Sequence, residues 1–408
     1  MARRNENSSI MMLILAIRRQ PVMDLLGSDA QQGRKAVSRS ATTHHSSMAL
    51  RIVVMEGDGI GPEITAATMA VLRAADDIFK LGLSFTPVAI GLAALRAQGT
   101  TLPQAAVDAA KAADGVILGP VSHNDYPPLA QGGLNPSGEL RKRLDLFANI
   151  RPARSRGGFP PRCGSPVDLV IARENTEGFY ADRSMFLGSG EFMPTADLAL
   201  SVRKVTRAGS TRIAQTAFAL AERRRKKVTA VHKANVLRVS DGLFLECVRA
   251  VASRFPGVEY EERIIDAMAA LLVRAAAAFD VIVTTNMFGD ILSDLAAEIS
   301  GSLGLAASLN AGEAHTLAQA QHGSAPDIAG QDRANPASLI GSAAMLLNWL
   351  GERRNDERFT RAAATIEDAL DRAIASPQWR TRDLGGPLGT KAFGARVAAL
   401  VAEVASAR

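Results

Sequence analysis

Residues 50–75 read LRIVVMEGDGIGPEITAATMAVLRAA, and the spacing of their apolar residues changes in the middle. From Leu50 to Met55 the apolar positions are nearly continuous and rich in β-branched side chains, the signature of a strand covered on both faces. GDGIGPE (57–63) then supplies the glycines and proline of a tight turn, and from Ile64 apolar residues return at helical spacing. The unit is strand, loop, helix. It recurs at ADGVILGP (113–120), VDLVIAREN (167–175), KKVTAVHKAN (226–235) and FDVIVTTN (279–286), each a short β-rich run ending in polar or charged residues. Helical stretches lie between most of them. This alternation predicts an α/β fold with a largely parallel sheet, whose functional groups gather at the carboxyl ends of the strands. No solenoid-type repeat interrupts the pattern.

A chain of 408 residues, 47% hydrophobic and 22% charged, buries one large core or two moderate ones, so two domains are expected. Its net charge is +6, but residues 1–47 hold seven Lys/Arg against three acids and so carry +4 of it. The rest is nearly balanced, and with 5% aromatic residues there is no basic, aromatic-laced stripe for nucleic acid. Residues 18–47 have no sustained periodicity, and the segment 1–47 reads as a disordered or mis-called N-terminal extension. Its apolar run IMMLILAI (10–17) is shorter than the roughly 18 residues a membrane span requires. No A-x-A cleavage site closely follows that run, so neither a membrane partner nor export is expected. Cys163 and Cys247 match no metal or redox spacing, which fits a reduced, cytoplasmic setting without a disulfide.

Four constellations carry chemistry. In TTNMFGDILSDLAAE, Asp290 and Asp294 are four apart on a helix, on one face, and hard carboxylate oxygens suit Mg²⁺ or Mn²⁺. An isolated pair of this kind is more often a solvated acidic face, but this one follows a strongly apolar strand, and Asp266 in IIDAMAALLV offers a third carboxylate. LRKRLDLFANIRPAR (140–154) and Arg173 place guanidinium forks at the ends of apolar runs, a pattern for gripping a di- or tricarboxylic acid bidentately. Lys233 ends the strand VTAVHK and Tyr180 closes RENTEGFY, a candidate base and acid; a lysine beside a cation is disfavoured in its protonated form. HGSAPDIAGQDRANP (322–336) combines small residues with His322, Asp327 and Asn335, and an acid such as Asp327 would bind ribose hydroxyls and repel a 2′-phosphate, favouring NAD over NADP. GDGIGPE is not GxGxxG, and a tight turn accounts for its glycines.

Together GDGIGPE, RLDLFANIRP, RENTEGFY, HKANVL, DAMAALLV, TTNMFGDILSD and HGSAPDIAG resemble, in order and interval, the β-decarboxylating dehydrogenases of the isocitrate and isopropylmalate family. The likeness runs from about Met48 to the C-terminus. It implies the family's two-domain fold, which is not a Rossmann domain: a large cofactor-binding domain formed by 48–146 and 301–408, and a smaller dimer-forming metal and substrate domain, 147–300. It implies that Arg141, Arg151 and Arg173, with Ser137, hold the substrate and that Tyr180 and Lys233 are catalytic. Asp266, Asp290 and Asp294 would bind the metal; His322, Gly323, Ser324, Ala325, Asp327 and Asn335 would bind NAD. Lys233 and Asp266 would reach into a neighbouring subunit's cleft, making a homodimer with shared active sites, or a higher oligomer, the working unit.

The implied reaction is oxidation of a 3-substituted malate of the isopropylmalate, isocitrate or homoisocitrate type, followed by loss of CO₂. Lys233 assists removal of the hydroxyl proton as hydride passes to NAD, and Tyr180 protonates the enolate. Two departures stand out. NPSGEL (135–140) lacks the leucines that usually contact an isopropyl group, and its Asn135 and Ser137 are not placed as in the isocitrate enzymes. Gln319 stands where a glutamate is common. The alternative is a catalytically silent or regulatory subunit of the same family, whose signature would be loss of a site carboxylate or of the lysine; all are present.

Overall fold

The computed structural model describes residues 49–180 and 190–407, so the extension expected over 1–47 lies outside the described residues. The strands are β1 (Leu50–Met55), β2 (Leu83–Pro87), β3 (Gly115–Leu118), β4 (Ala148–Arg154), β5 (Asp168–Glu174), β6 (Glu191–Thr195), β7 (Leu198–Ser201), β8 (Lys227–His232), β9 (Glu259–Ile264), β10 (Val281–Thr284), β11 (Leu309–Ala311) and β12 (Thr316–Gln319). Ten of them form one sheet in the order β2-β1-β3-β12-β11-β4-β5-β10-β8-β9, and β6 and β7 form a separate antiparallel ribbon. Pairing is parallel on both flanks and antiparallel only at the centre, where β11 pairs with β12 and β4, and β4 pairs with β5. The α/β class and the largely parallel sheet are as the alternating pattern predicts. The central antiparallel strands leave no period-based trace in the sequence, because a strand's side chains alternate identically in either orientation.

Layering follows from period-2 alternation on strands covered from both sides. In β10, Val281 and Val283 pack with Phe218 and Phe244 of helices Arg207–Glu222 and Ser240–Ala252. Ile282 faces the opposite way, toward Leu272 and Leu292 of helices Ile265–Ala275 and Asn286–Ser300. On the other flank, Ile52 and Val54 of β1 meet helices Gly61–Phe79, Ala337–Arg354, Glu357–Ala375 and Thr390–Ser406. Val53 and Met55 meet helices Gln104–Ala112 and Pro136–Arg143. Truncating a fully buried aromatic such as Phe218, stacked on Phe255 with centroids 5.4 Å apart, would cost about 3–5 kcal/mol. Both cysteines are free, as expected. No helix among the described residues is long and apolar enough to cross a membrane.

The same topology carries the chemistry-bearing residues. Arg173 lies near the carboxyl end of β5, Lys233 directly follows β8, helix Asn286–Ser300 begins just beyond β10, and Gln319 ends β12.

Candidate functional site

Thr285, extended at the N-cap, turns the chain from β10 into helix Asn286–Ser300, whose inner face presents Asn286, Asp290, Ser293 and Asp294. Two arginines from neighbouring strands lie across it. Arg173 donates from Nη2 and Nε to Asn286 Oδ1 at 2.7 and 3.2 Å, and its Nη1 pairs with Asp290 Oδ1. Arg151 donates to Asn149 Oδ1 at 2.6 Å, Ser293 Oγ at 2.7 Å and the same Asp290 oxygen at 3.1 Å, with Asp294 at 3.6 Å. Gly289 makes this approach possible: a Cβ there would lie 2.6 Å from Arg173 Cγ. Burial pulls the Arg173 guanidinium well below its ordinary pKa and Arg151 adds repulsion, while Asp290 opposes both. Burial would raise the Asp290 carboxyl, but Arg173, Arg151 and Arg141 outweigh it and hold Asp290 below the usual carboxylate range.

The third arginine is held by a different contact. Asn135 caps helix Pro136–Arg143, accepting from Gly138 N at 3.2 Å; Ser137 lies in its first turn and Arg141 one turn later on the same face. Both donate to Gln319 Oε1, Ser137 Oγ at 3.0 Å and Arg141 Nη2 at 3.3 Å. Arg141 Nε is buried without a hydrogen-bond partner. Burial, reinforced by Arg151 and opposed by Asp290, lowers the Arg141 pKa to about 10. Three mutually repelling guanidinium groups sharing chiefly one carboxylate, with an orphaned buried donor, suit an anion with more than one carboxylate.

Lys233 and Asp266 form a pair of their own just beyond the carboxyl ends of the adjacent parallel strands β8 and β9, the amine contacting Asp266 Oδ1. That contact holds the exposed Asp266 carboxyl below its ordinary pKa. Tyr180 is 57% exposed, with its ring 5.6 Å from Arg173 Cζ, and it borders 181–189, which lie outside the described residues. Asp290 and Asp294 thus stand together with the arginines, whereas Asp266 does not join them. Among the described residues no three His, Cys, Asp or Glu side chains of one chain converge as a metal site. As a donor set, Asp290 and Asp294 fit a hard divalent cation, whose remaining positions water or substrate oxygens can fill, since Asp290 Oδ2 and the half-exposed Asp294 remain available.

The 322–336 loop is held from below by GDGIGPE. Ile60 N donates to Ser324 O at 2.8 Å, and Ser122 Oγ donates to Ser324 Oγ at 2.8 Å. Gly59 has φ +57°, and a Cβ there would sit 2.1 Å from Ser324 O, so glycine is required. Asp58, buried, accepts from Leu92 N at 2.8 Å, Ser122 N at 3.1 Å and the Tyr126 hydroxyl. The motif is therefore a structural knot beneath the loop, consistent with its reading as a turn. Ala325 takes a left-handed conformation (φ +37°), Gly323 faces open space, and Asp327 is exposed. Asn335 caps Ala337 N at 2.9 Å and donates to Asp383 Oδ2 at 3.0 Å. His322 Nδ1 lies 3.0 Å from the Gly323 carbonyl, which can only accept. Nε2, buried and without a partner, is then the ring's acceptor. Burial lowers the His322 pKa against the opposing pull of the Gly323 carbonyl and Asp383, keeping the ring neutral. A neutral ring with an orphaned acceptor fits a nucleotide base that can donate to it.

Sequence reasoning did not single out Asn286, Ser293, Asn149 or Gln321, whose amide donates to Asp294 Oδ1 at 2.7 Å. Only Asn286, directly after an apolar strand, carried a usable signal.

A model of the family described as isocitrate/isopropylmalate dehydrogenase matches residues 51–397. The isocitrate/homoisocitrate dehydrogenase of Thermus thermophilus is 42% identical over 348 residues, 85% of this chain and 97% of that protein. The 3-isopropylmalate dehydrogenase of Sulfurisphaera tokodaii is 39% identical over 339 residues, 83% of this chain and 95% of that protein. The crystal structure of isocitrate dehydrogenase from Methylococcus capsulatus superposes with a TM-score of 0.77 at 40% identity, covering 86% of this chain and 99% of that one.

Proposed function

The chain belongs to the isocitrate/isopropylmalate dehydrogenase family, and from that premise we propose that it catalyses NAD-linked, divalent-metal-dependent oxidative decarboxylation of a 3-substituted malate of the isopropylmalate, isocitrate or homoisocitrate type. The observation that carries this reading is the meeting of Arg141, Arg151 and Arg173 over Asp290, with Arg141 Nε buried and unpartnered. Guanidinium forks from three separate elements bind the carboxylates and fix the hydroxyl-bearing carbon. Lys233 takes the hydroxyl proton, and Tyr180, beside Arg173, returns a proton to the carbon that loses CO₂. Mg²⁺ or Mn²⁺ held by Asp290, Asp294 and Asp266 would polarise the substrate's hydroxyl oxygen and then its carbonyl oxygen. His322, Gly323, Ser324, Ala325, Asp327 and Asn335 are the residues that would hold NAD, with His322 Nε2 accepting from the base and Asp327 facing the ribose.

The proposal includes a homodimer in which Lys233 and Asp266 of one subunit complete the cleft of the other, with 48–146 plus 301–408 and 147–300 acting as the two domains. The separate Lys233–Asp266 pair supports it, as do the exposed apolar residues Val236, Val239, Val273 and Ile291 between 147 and 300. The intact lysine, tyrosine, arginines and aspartates favour an enzyme over a silent or regulatory subunit.

The test is NADH formation by purified protein with Mg²⁺ or Mn²⁺ against isopropylmalate, isocitrate, homoisocitrate, tartrate and D-malate, repeated with EDTA and with NADP. Metal-dependent turnover of one acid is the expected result. Silence toward every acid by a folded dimer would refute the reading.

A further inference from the structure

Lys233 stands one residue beyond β8, ahead of the turn that closes on its carbonyl through Val236 N at 2.9 Å. What holds it is a buried ion pair. Its backbone N donates to Asp241 Oδ2 at 2.6 Å, and Asp241, fully buried in the first turn of helix Ser240–Ala252, accepts at Oδ1 from Arg203 Nη1 at 2.5 Å. Arg203, whose side chain is 8% exposed, donates through Nη2 to Thr285 Oγ1 at 2.8 Å and lies 5.3 Å over the Phe288 ring. Thr285 is the N-cap of the helix bearing Asn286, Asp290 and Asp294. One carboxylate and one guanidinium therefore tie the backbone of Lys233 to the first turn of that helix.

Such a pair adds little to stability, because desolvating two charges offsets most of their attraction. What it supplies is direction: the carboxylate fixes the lysine's peptide on one side while the planar fork fixes the helix start on the other. Neither residue contacts Arg141, Arg151 or Arg173, so the substrate arginines keep their own partners when the link is cut. Resting on the reading of Lys233 as the base, we propose that Asp241 and Arg203 are positioning residues that anchor the Lys233 backbone to the first turn of helix Asn286–Ser300 of its own subunit and so fix where the lysine enters the cleft it completes.

The test compares Asp241→Asn, Arg203→Met, the double variant and Thr285→Val, the last cutting one hydrogen bond without leaving a charge unpaired. For each, kcat and KM of the acid are measured, and calorimetry counts substrate sites per subunit. A misplacement of about 1 Å costs on the order of 100-fold in rate, so Asp241→Asn and Arg203→Met should lower kcat by roughly 10- to 100-fold and Thr285→Val by about two- to fivefold. KM and site count should stay within about twofold of wild type, because the arginines are untouched. The double variant should be no worse than the poorer single one, since either change breaks the same link. Thr285→Val with unchanged kcat, losses in kcat that match losses in site count, or additive effects in the double variant would each overturn the proposal. If the charged variants do not fold, Thr285→Val decides. A wild type silent toward every acid would remove the premise and the proposal with it, which a normal wild type with unaffected variants would not.

Discussion

Replacing Asp290 with asparagine keeps the shape and one acceptor but removes the charge on which Arg151 and Arg173 converge. The two arginine side chains are 6% and 2% exposed, so water cannot replace that charge, although Asp290 itself is 30% exposed. Breaking a buried pair costs about 3–5 kcal/mol; with partial exposure and a retained acceptor, about 2–3 kcal/mol is expected. Urea titration of the ligand-free protein, followed by circular dichroism, measures it. Adding a dicarboxylate such as D-malate should recover more stability in the variant than in wild type, because the anion meets a more strongly positive cleft. The direction with pH is also set. Asp290 is held below its ordinary range, so its contribution is present at neutral pH and is lost as pH falls through that depressed value. A variant within about 0.5 kcal/mol of wild type, the scale of neutral surface changes, would show that the arginines do not depend on Asp290 and would refute the reasoning.

If the clefts are shared, Lys233→Met and Asp294→Asn dimers, each inactive, should regain about a quarter of wild-type activity when mixed and reassociated, because half the dimers then hold one complete site; no recovery would place all groups in one chain. His322, lowered by burial, resists protonation in the folded state, so stability should fall as pH drops from the ordinary histidine range toward its depressed value. His322→Asn should flatten that part of the pH dependence of unfolding; His232 and His315, lowered in the same direction, would retain the remainder. Gly59→Ala would meet both a φ of +57° and the Ser324 carbonyl. The left-handed conformation alone costs about 1–2 kcal/mol, so KM for NAD should rise by roughly tenfold over wild type while KM for the acid changes by less than about twofold.

The sequence made the strand ends legible because buried parallel strands are continuous apolar runs, and a charged residue at the end of one has few structural reasons to be there. Arg173 and Lys233 were visible for that reason; Arg151 was visible beside the apolar run LFANI although it lies in the middle of β4, and Asp290 because its helix follows the apolar β10. Arg141 was not visible from pattern alone, since it sits in the charged run LRKRLD beside Arg143, which pairs with Glu139 on the surface; only the resemblance to the family separated the two. Gln321, Asp241 and Arg203 act through hydrogen bonds to side chains or backbone in other elements, and composition holds no record of such pairings. The grouping of Asp266 with the other aspartates rested on the resemblance, and within one chain its partner is Lys233. Gln319, noted only for its difference from a common glutamate, holds Ser137 and Arg141 on one carbonyl oxygen.

The most direct test of the central claim follows NADH formation and release of labelled CO₂ together from one 3-substituted malate in the presence of Mg²⁺. Equal amounts of both products, abolished together by EDTA and by Lys233→Met, are the predicted result. NADH without CO₂, or turnover that survives EDTA, would contradict the account.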